Sequence, residues 1–176
     1  MDAVQVVEEL ALKARKASRT LSTATGAERK EALELIAQAI ESRSAEILTA
    51  NEIDMNNAHA ENMHPQMQDR LLLSADRIKG IAGGARQVAA MPDPLGQTLR
   101  KSTLPNGLEL EQISVPFGVI GMVYEARPNV TVDAAVILLM SGNAALLRGS
   151  STARNSNEIL VNLSLIHISE PTRLLS

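Results

Sequence analysis

Two polar segments of this chain each follow an apolar run of strand length, and together they contain the residues best suited to bind a ligand. The first run, 118–124, leads into Glu125, and Asn129 follows four residues later. The second run, 144–147, leads into Arg-Gly-Ser-Ser-Thr at 148–152. Near-continuous apolar runs are typical of parallel strands buried on both faces, and open α/β sheets bind ligands beyond the carboxyl ends of such strands. The spacing therefore predicts one ligand site that both loops share.

Arg148 is the residue in these loops that best suits an anion, because a guanidinium can hold a phosphate through two parallel hydrogen bonds. A contact with a neighbouring carboxylate is the alternative. Ser151 or Thr152 is expected to cap a following helix, and Gly149 and Ser150 complete the loop. The chain has no Gly-x-Gly-x-x-Gly pattern and no Walker A lysine. Spacing alone therefore indicates a ligand site without identifying the ligand.

Residue type and spacing disfavour several other chemistries. The histidines, His59, His64 and His167, lack metal-ligand spacing, so no metal site is expected. A serine nucleophile would need a nearby base, and no histidine is placed to act as one. Glu125 and Arg127 could form an acid–base pair, although a structural ion pair is the preferred interpretation. The chain contains no cysteine, so it offers neither a thiolate nucleophile nor a disulfide.

The composition is that of an ordinary globular protein of one domain or slightly more, with 176 residues, 45% of them hydrophobic. A net charge of −3 gives no reason to expect nucleic acid or an anionic membrane as a partner. Basic residues at 13–19 are interpreted as the solvated face of a helix rather than a nucleic-acid contact. No signal peptide or bilayer-spanning run is recognisable, so a cytoplasmic protein is expected.

Helices are predicted for most of the first 95 residues, because apolar residues recur there at three- and four-residue steps. Thr25 and Glu28 match a capping box that opens a second helix. A third helix is predicted over 44–57, and Ser74 is predicted to cap a further one. The face of the first helix that is predicted to be buried consists of Ala3, Val7, Leu10, Ala14, Ala17 and Leu21.

After residue 95 the pattern changes to strands. Two runs, 99–104 and 108–115, flank Pro-Asn-Gly, and Asn-Gly is a strong hairpin signal. A two-stranded ribbon is marginal on its own, so a second subunit is its expected partner. From residue 116 the order strand, helix, strand, helix predicts the start of a doubly wound α/β sheet, in which Gly142 ends the first helix.

Longer stretches make the assignment more specific by resemblance. The segment VPFGVIGMVYEARPNVTVDAAVILLMSGNAALLRGSSTARNSN resembles the aldehyde dehydrogenase superfamily. Within it, YEARPNVTVDA and SGNAALLRGSS together resemble the branch of gamma-glutamyl phosphate reductases, whereas general aldehyde dehydrogenases carry Pro-Trp-Asn where this chain has Arg127, Pro128 and Asn129. The helical leader is similar too, through ANEIDMNNA and RLLLSADRIKGIAGGARQVAAMPDPLG, so the resemblance extends from residue 1 to about 161.

The resemblance implies a Rossmann-like fold and the NADPH-dependent reduction of L-glutamyl 5-phosphate to L-glutamate 5-semialdehyde, with release of phosphate, in proline biosynthesis. A family cysteine that this chain lacks attacks the acyl phosphate, and Asn129 falls where a side-chain amide holds the oxyanion. Ser151 stands where NAD-preferring members often place a glutamate. The loop, aided by the positive end of the next helix, is therefore expected to select NADPH. The implied cofactor contacts are Tyr124, Glu125, Arg148, Gly149, Ser150 and Ser151.

The resemblance also divides the chain into a helical part at 1–95, a ribbon that forms a homo-oligomer at 96–115, and the start of the NADP-binding α/β domain at 116–161. Residues 162–176 do not resemble the family's continuation. Their SLIHISEPTRLL is similar to translated sequencing-adapter sequence, with a natural C-terminal helix as the alternative. Family members are more than twice this length, so an inactive N-terminal fragment is expected. A short, inactive nucleotide-binding or oligomerisation module is the alternative interpretation.

Overall fold

The computed structural model describes residues 2–168, which form seven α-helices and two small β-sheets. The helices are α1 (Ala3–Leu21), α2 (Gly26–Ser42), α3 (Ser44–Ala60), α4 (Pro65–Leu71), α5 (Ala75–Ala90), α6 (Pro128–Met140) and α7 (Arg154–Ile168). The strands are β1 (Thr98–Thr103), β2 (Glu109–Ile113), β3 (Val119–Val123) and β4 (Ala144–Arg148). No helix within 2–168 is long and apolar enough to cross a membrane. Of the expected tail at 162–176, residues 162–168 belong to α7 and 169–176 lie outside the described residues.

The starts of α2 and α5 are stabilised by the side chains that the sequence predicts for them. Thr25 Oγ1 accepts a hydrogen bond from the Glu28 N–H at 3.2 Å, and the Glu28 carboxylate accepts one from the Thr25 N–H at 2.6 Å. The hydrogen bonds that the Thr25 N–H and hydroxyl donate to the Glu28 carboxylate hold the pKa of this carboxyl below its usual value. Ser74 Oγ accepts from the Arg77 N–H at 3.2 Å. The predicted capping box and the predicted serine cap are both confirmed.

The hydrophobic core lies between α2, α5, α6 and α7. Helix α6 is apolar almost all round, and it contacts the other three core helices as well as β4. A helix of that kind must be surrounded by protein. The large side chains at the centre of this core are Leu33, Ile36, Ile40, Ile78, Val132, Val136, Leu160 and Leu163.

Helix α1 contributes less to the core than its sequence predicts. Ala14 is buried and Leu21 is half-buried, but Val7 and Leu10 are 61% and 47% exposed, and Ala17 is exposed as well. The helix contacts both β3 and β4. The prediction of a continuous buried face is therefore wrong for most of α1, because residues 2–168 place too little protein against it.

The predicted hairpin is confirmed. Strands β1 and β2 pair antiparallel, and Gly107, at φ +85°, donates its N–H to the Leu104 carbonyl at 2.9 Å to close the turn. Every residue of β2 is exposed, and β1 is almost as open. A two-stranded ribbon is marginal on its own, and the second subunit that the sequence predicts as its partner stays a prediction.

Strands β3 and β4 pair in parallel through the α6 crossover, with Val119 opposite Ala144 and Val123 opposite Arg148. Ser141 caps α6, and Gly142 follows it at φ +71°, as predicted. The expectation that β3 is buried on both faces is wrong, because Val119 and Ile120 are only half-buried and the next three residues are exposed, Val123 by 74%. The periodicity is that of a buried strand, but within 2–168 the sheet has only two strands.

A buried arginine joins three parts of this fold. Arg29, 3% exposed, donates from Nε to the Met140 carbonyl at the end of α6 at 3.1 Å. Its Nη1 donates to the Ala24 carbonyl, and its Nη2 lies 2.7 Å from both carboxylate oxygens of Asp93. The Leu95 N–H, together with this guanidinium, keeps the pKa of the Asp93 carboxyl below its usual value. One side chain thus links the start of α2, the end of α6 and the turn after α5.

Replacing Arg29 with methionine should lower the free energy of unfolding by roughly 2–4 kcal/mol, because it leaves the half-buried Asp93 carboxylate without its cation and the buried Met140 carbonyl unpaired. Arg86→Met is the matched control. Arg86 also binds two carboxylates, Glu34 and Glu41, but its side chain is 36% exposed, so its loss should lower the free energy of unfolding clearly less than the loss of Arg29 does. Urea unfolding compares the two, and equal losses would contradict the role given to Arg29.

Candidate functional site

The two polar loops meet at the carboxyl edge of the parallel sheet. Val123 and Arg148 are paired in register, and the Tyr124 N–H donates to the Arg148 carbonyl at 3.1 Å. The two segments therefore begin side by side, which confirms the prediction that they lie together.

Arg148 and Ser151 present their side chains to solvent on this edge. Both residues are exposed, and neither side chain has a hydrogen-bond or ion-pair partner within residues 2–168. Among the described residues, no carboxylate contacts the Arg148 guanidinium, which is the alternative to a ligand anion. A free guanidinium and a free hydroxyl, three residues apart, form a donor set that suits a phosphate.

The serine cap in this loop belongs to a 3-10 turn, not to α7, and lies one residue earlier than the predicted helix cap. Ser150 Oγ accepts from the Thr152 N–H at 3.3 Å and lies 2.7 Å from Thr152 Oγ1. A 3-10 turn, Ser151–Ala153, then separates this cap from α7. The prediction that Ser151 or Thr152 caps the helix is wrong, because the tighter turn moves the first residue of α7 to Arg154.

The amino-terminal end of α7 is already bound by a carboxylate from α3. Asp54, only 2% exposed, accepts from the Asn155 N–H at 3.1 Å and from the Ser156 N–H at 2.8 Å. It also accepts from Asn155 Nδ2 at 2.8 Å and Ser156 Oγ at 2.7 Å. Asp54 thus occupies the N–H groups of Asn155 and Ser156, so these two groups are not free to bind a phosphate, and the expected help from the positive end of this helix stays a prediction.

Asn51, one turn before Asp54, connects the same helix to the segment between α4 and α5. Its Oδ1 accepts from the Leu73 N–H at 2.8 Å, and its Nδ2 donates to the Leu71 carbonyl at 2.9 Å and to Ser156 Oγ at 3.0 Å. Among the described residues, no buried side-chain nitrogen or oxygen lacks a partner. The buried side chains of α3 are Ile47, Asn51, Asp54 and Ala58.

Sequence reasoning missed Asn51 and Asp54, although a signal was present. With Ile47 and Ala58 they follow one another at steps of four, three and four residues, so two polar side chains lie within an otherwise apolar helical stripe. A polar residue in such a stripe is expected to have a specific buried partner. The partners themselves lie about twenty residues later in the chain for the Leu71 and Leu73 backbone, and about a hundred later for Asn155 and Ser156, so the pattern could not identify them.

Tyr124, predicted to contact the cofactor, uses its hydroxyl within the protein. Tyr124 Oη lies 2.7 Å from Thr131 Oγ1, which in turn donates to Asn157 Oδ1 at 2.7 Å. Because the threonine proton is used on Asn157, the tyrosine is the donor in the first bond. A Cβ at Gly149 would collide with Asn157 Nδ2 and with the Tyr124 ring. Gly149 is thus required for close packing of this loop against α7.

Asn129, the oxyanion candidate, lies in the first turn of α6. Its Nδ2 donates one hydrogen bond to Asp133 Oδ2 at 3.0 Å, which leaves the second amide N–H for another acceptor. Burial raises the pKa of the Asp133 carboxyl, and the bond from Asn129 partly offsets this rise. Glu125 is not paired with Arg127 as expected. Its side chain, 83% exposed, lies 3.7 Å from Arg70 instead, so the predicted ion pair has a different cation.

A cleft of about 520 Å³ opens beside Asn129, between the start of α6 and the first half of α5. Small-molecule sites commonly span a few hundred to a thousand cubic ångströms, so the cleft is large enough for a metabolite. The charged and amide residues that line it are Asp69, Arg70, Arg77, Arg127, Asn129 and Asp133.

Comparisons with known proteins agree on one family. The sequence profile of the aldehyde dehydrogenase family matches residues 2–166. The chain is 50% identical over 161 residues to a gamma-glutamyl phosphate reductase of Kineococcus radiotolerans, an alignment that covers 89% of this chain and 37% of that protein.

Two crystal structures of gamma-glutamyl phosphate reductases match the fold. The Thermotoga maritima structure has a TM-score of 0.89 and 38% identity, covering 92% of this chain and 39% of that one. The Saccharomyces cerevisiae structure has a TM-score of 0.88 and 29% identity, covering 97% and 42%. The expected fold class, helices and a hairpin followed by the start of a Rossmann-like sheet, is confirmed. The chain spans well under half the length of each of these relatives.

Replacing Asp54 with asparagine should loosen the start of α7. The change keeps the side-chain shape but removes the charge that two N–H groups share, and we expect it to lower the free energy of unfolding by about 2 kcal/mol. Amide hydrogen exchange at Asn155 and Ser156 should accelerate. Asp76→Asn, in the exposed first turn of α5, should change stability by less than about 1 kcal/mol. Unchanged exchange at the two amides in Asp54→Asn would contradict the capping role.

Proposed function

The chain belongs to the aldehyde dehydrogenase family, and from this we propose that it forms the cofactor-binding part of an enzyme that reduces L-glutamyl 5-phosphate to L-glutamate 5-semialdehyde with NADPH. The observation that carries the proposal is the 50% identity over 161 residues to a gamma-glutamyl phosphate reductase. The reaction belongs to proline biosynthesis, and we place it in the cytoplasm. In this proposal residues 1–95 and 116–161 build the cofactor-binding domain.

The chemistry divides between this chain and residues outside it. Reduction of the acyl phosphate consumes a hydride and a proton and releases phosphate, and NADPH supplies the hydride. The thiolate that the resemblance implies must come from outside these 176 residues, which contain no cysteine. The contribution of Asn129 is its second amide N–H, directed to the oxygen on which negative charge develops. We therefore propose that the chain alone does not turn over substrate.

The exposed side chains at the carboxyl edge of the sheet fit the phosphorylated cofactor. The Arg148 guanidinium is free to form a bidentate bond with the 2′-phosphate, and the Ser151 hydroxyl can donate to the same group. Ser150 and Gly149 shape the loop, and Tyr124 supports it from β3. Glu125 is the weakest of the proposed contacts, since it lies beside Arg70.

We propose that the ribbon at 96–115 joins copies of the protein into a homo-oligomer. Both of its strands are exposed, and Leu99, Leu108 and Ile113 are each more than half exposed. Apolar side chains on an exposed ribbon are usually covered by a partner.

A chimeric enzyme tests the proposed function. Residues 2–161 would replace the equivalent segment of the Kineococcus radiotolerans gamma-glutamyl phosphate reductase, which supplies the rest of the protein. We expect the chimera to oxidise NADPH in the presence of L-glutamyl 5-phosphate, and the 176-residue chain to show no turnover. A folded chimera that shows no turnover would contradict the proposal and favour an inactive nucleotide-binding or oligomerisation module.

Ser151→Glu in the chimera should reduce its preference for NADPH over NADH. The new carboxylate would repel the 2′-phosphate and accept hydrogen bonds from the ribose hydroxyls of NADH, so we expect the ratio of the two kcat/KM values to fall at least about tenfold, ~1.4 kcal/mol. Ser151→Ala is the matched control, because it removes the hydroxyl without adding charge, and it should change the ratio less than the glutamate does. A ratio that the glutamate leaves unchanged would show that this loop does not select the cofactor.

A further inference from the structure

The cleft beside Asn129 carries an excess of positive charge. Three arginines, Arg70, Arg77 and Arg127, line it against two carboxylates, Asp69 and Asp133. These residues come from the end of α4, the first half of α5 and the start of α6, so three separate elements bring their charges to one opening. A cluster of cations around a cleft attracts anionic ligands.

The three arginines differ in how much of their charge is available. Arg77 is held by Asp69, whose Oδ1 lies 2.8 Å from Nη2, and it also donates to the Leu72 carbonyl at 2.7 Å. Its charge is therefore already paired. Arg70 faces Glu125 at 3.7 Å, and both side chains are well exposed, so this pair is easily exchanged for another anion. Arg127 has no side-chain partner within residues 2–168.

The remaining groups of the cleft leave room for an anion next to Asn129. The Asp133 carboxylate accepts a hydrogen bond from Asn129 Nδ2. Burial raises the pKa of this carboxyl, because the charged form is poorly solvated in the cleft. Helix α6 begins at this point without a side-chain cap from Arg127. A Cβ at Gly80, on the facing side of the cleft, would meet no atom within 4 Å. The space between the two walls is thus open.

We infer that Arg70 and Arg127 form the anion-binding part of the substrate site, holding a carboxylate or phosphate group of the substrate while the free amide N–H of Asn129 faces its acyl oxygen. This inference rests on the proposed function. It adds that two arginines give the site its specificity for anionic acyl substrates. Arg77 positions the wall of the cleft through Asp69. Glu125 competes for Arg70 and is displaced when the substrate enters.

The inference can be tested by binding, without turnover. Nitrogen-15 spectra of the 176-residue chain are recorded during titration with L-glutamate and, separately, with inorganic phosphate, against sodium chloride at equal ionic strength. We expect one or both anions to shift the amides of 69–81 and 127–133 with a Kd of about 1–10 mM, and the anion that binds tighter identifies the group held. Equilibrium dialysis with radiolabelled anion measures the same Kd if the chain associates.

Four variants distinguish anion binding in the cleft from nonspecific attraction to the positive charges of the protein. Arg70→Gln and Arg127→Gln should each weaken binding about tenfold, since each removes one charge-assisted contact. Glu125→Gln should tighten it about twofold, because it frees Arg70. Arg100→Gln, on the exposed hairpin, should have no effect.

Three results would overturn the inference: no shift beyond that of chloride, equal weakening by Arg100→Gln, or shifts confined to 148–152. A failure of the proposed function can be told apart from a failure of this inference. An inactive chimera whose cleft residues still bind the anion contradicts the proposed reaction and leaves the anion site intact. An active chimera with a cleft that binds neither anion overturns only this inference.

Discussion

A buried amide and a buried carboxylate, one turn apart on α3, hold both candidate binding surfaces in place. Asp54 binds the first N–H groups of α7, and so determines where the loop at 149–153 lies relative to the sheet. Asn51 binds the backbone on both sides of Leu72, which forms a wall of the arginine-lined cleft. Ser156 touches both side chains. Polar groups this deeply buried are costly unless every partner is present, so the two surfaces are coupled through α3.

This constraint also changes the way in which the carboxyl edge of the sheet can recognise a phosphate. In many α/β proteins the N–H groups at a helix start bind the anion directly. Here the Asp54 carboxylate takes that position, and a second anion on the same groups would meet a buried negative charge. In the proposed enzyme, selection of the phosphorylated cofactor would therefore depend on the exposed side chains of Arg148 and Ser151.

The parts of the fold that could be predicted from the sequence are those specified by neighbours in the chain. The capping box at Thr25, the turn at Gly107 and the apolar run of β3 each lie within a few residues, and each was found. The sequence predicts a helix cap at Ser151 or Thr152, but Ser150 caps a 3-10 turn instead, because a 3-10 turn and an α-helix begin with the same residue types. The Arg70–Glu125 pair and the Asp54 cap join residues far apart in sequence, which no periodicity encodes. The exposure of Val123 has another cause. An apolar run predicts a strand whose faces need covering, but it does not say whether the rest of the chain covers them.

The central claim is that the 148–151 loop selects a phosphorylated dinucleotide through side chains while α7 remains capped from within. The most direct test is a crystal structure of the chimera with NADP bound. The account predicts that the 2′-phosphate lies within hydrogen-bond distance of the Arg148 guanidinium and Ser151 Oγ, with Asp54 still bound to the N–H groups of Asn155 and Ser156. A phosphate that displaces Asp54 from those groups, or that lies away from Arg148, would contradict it.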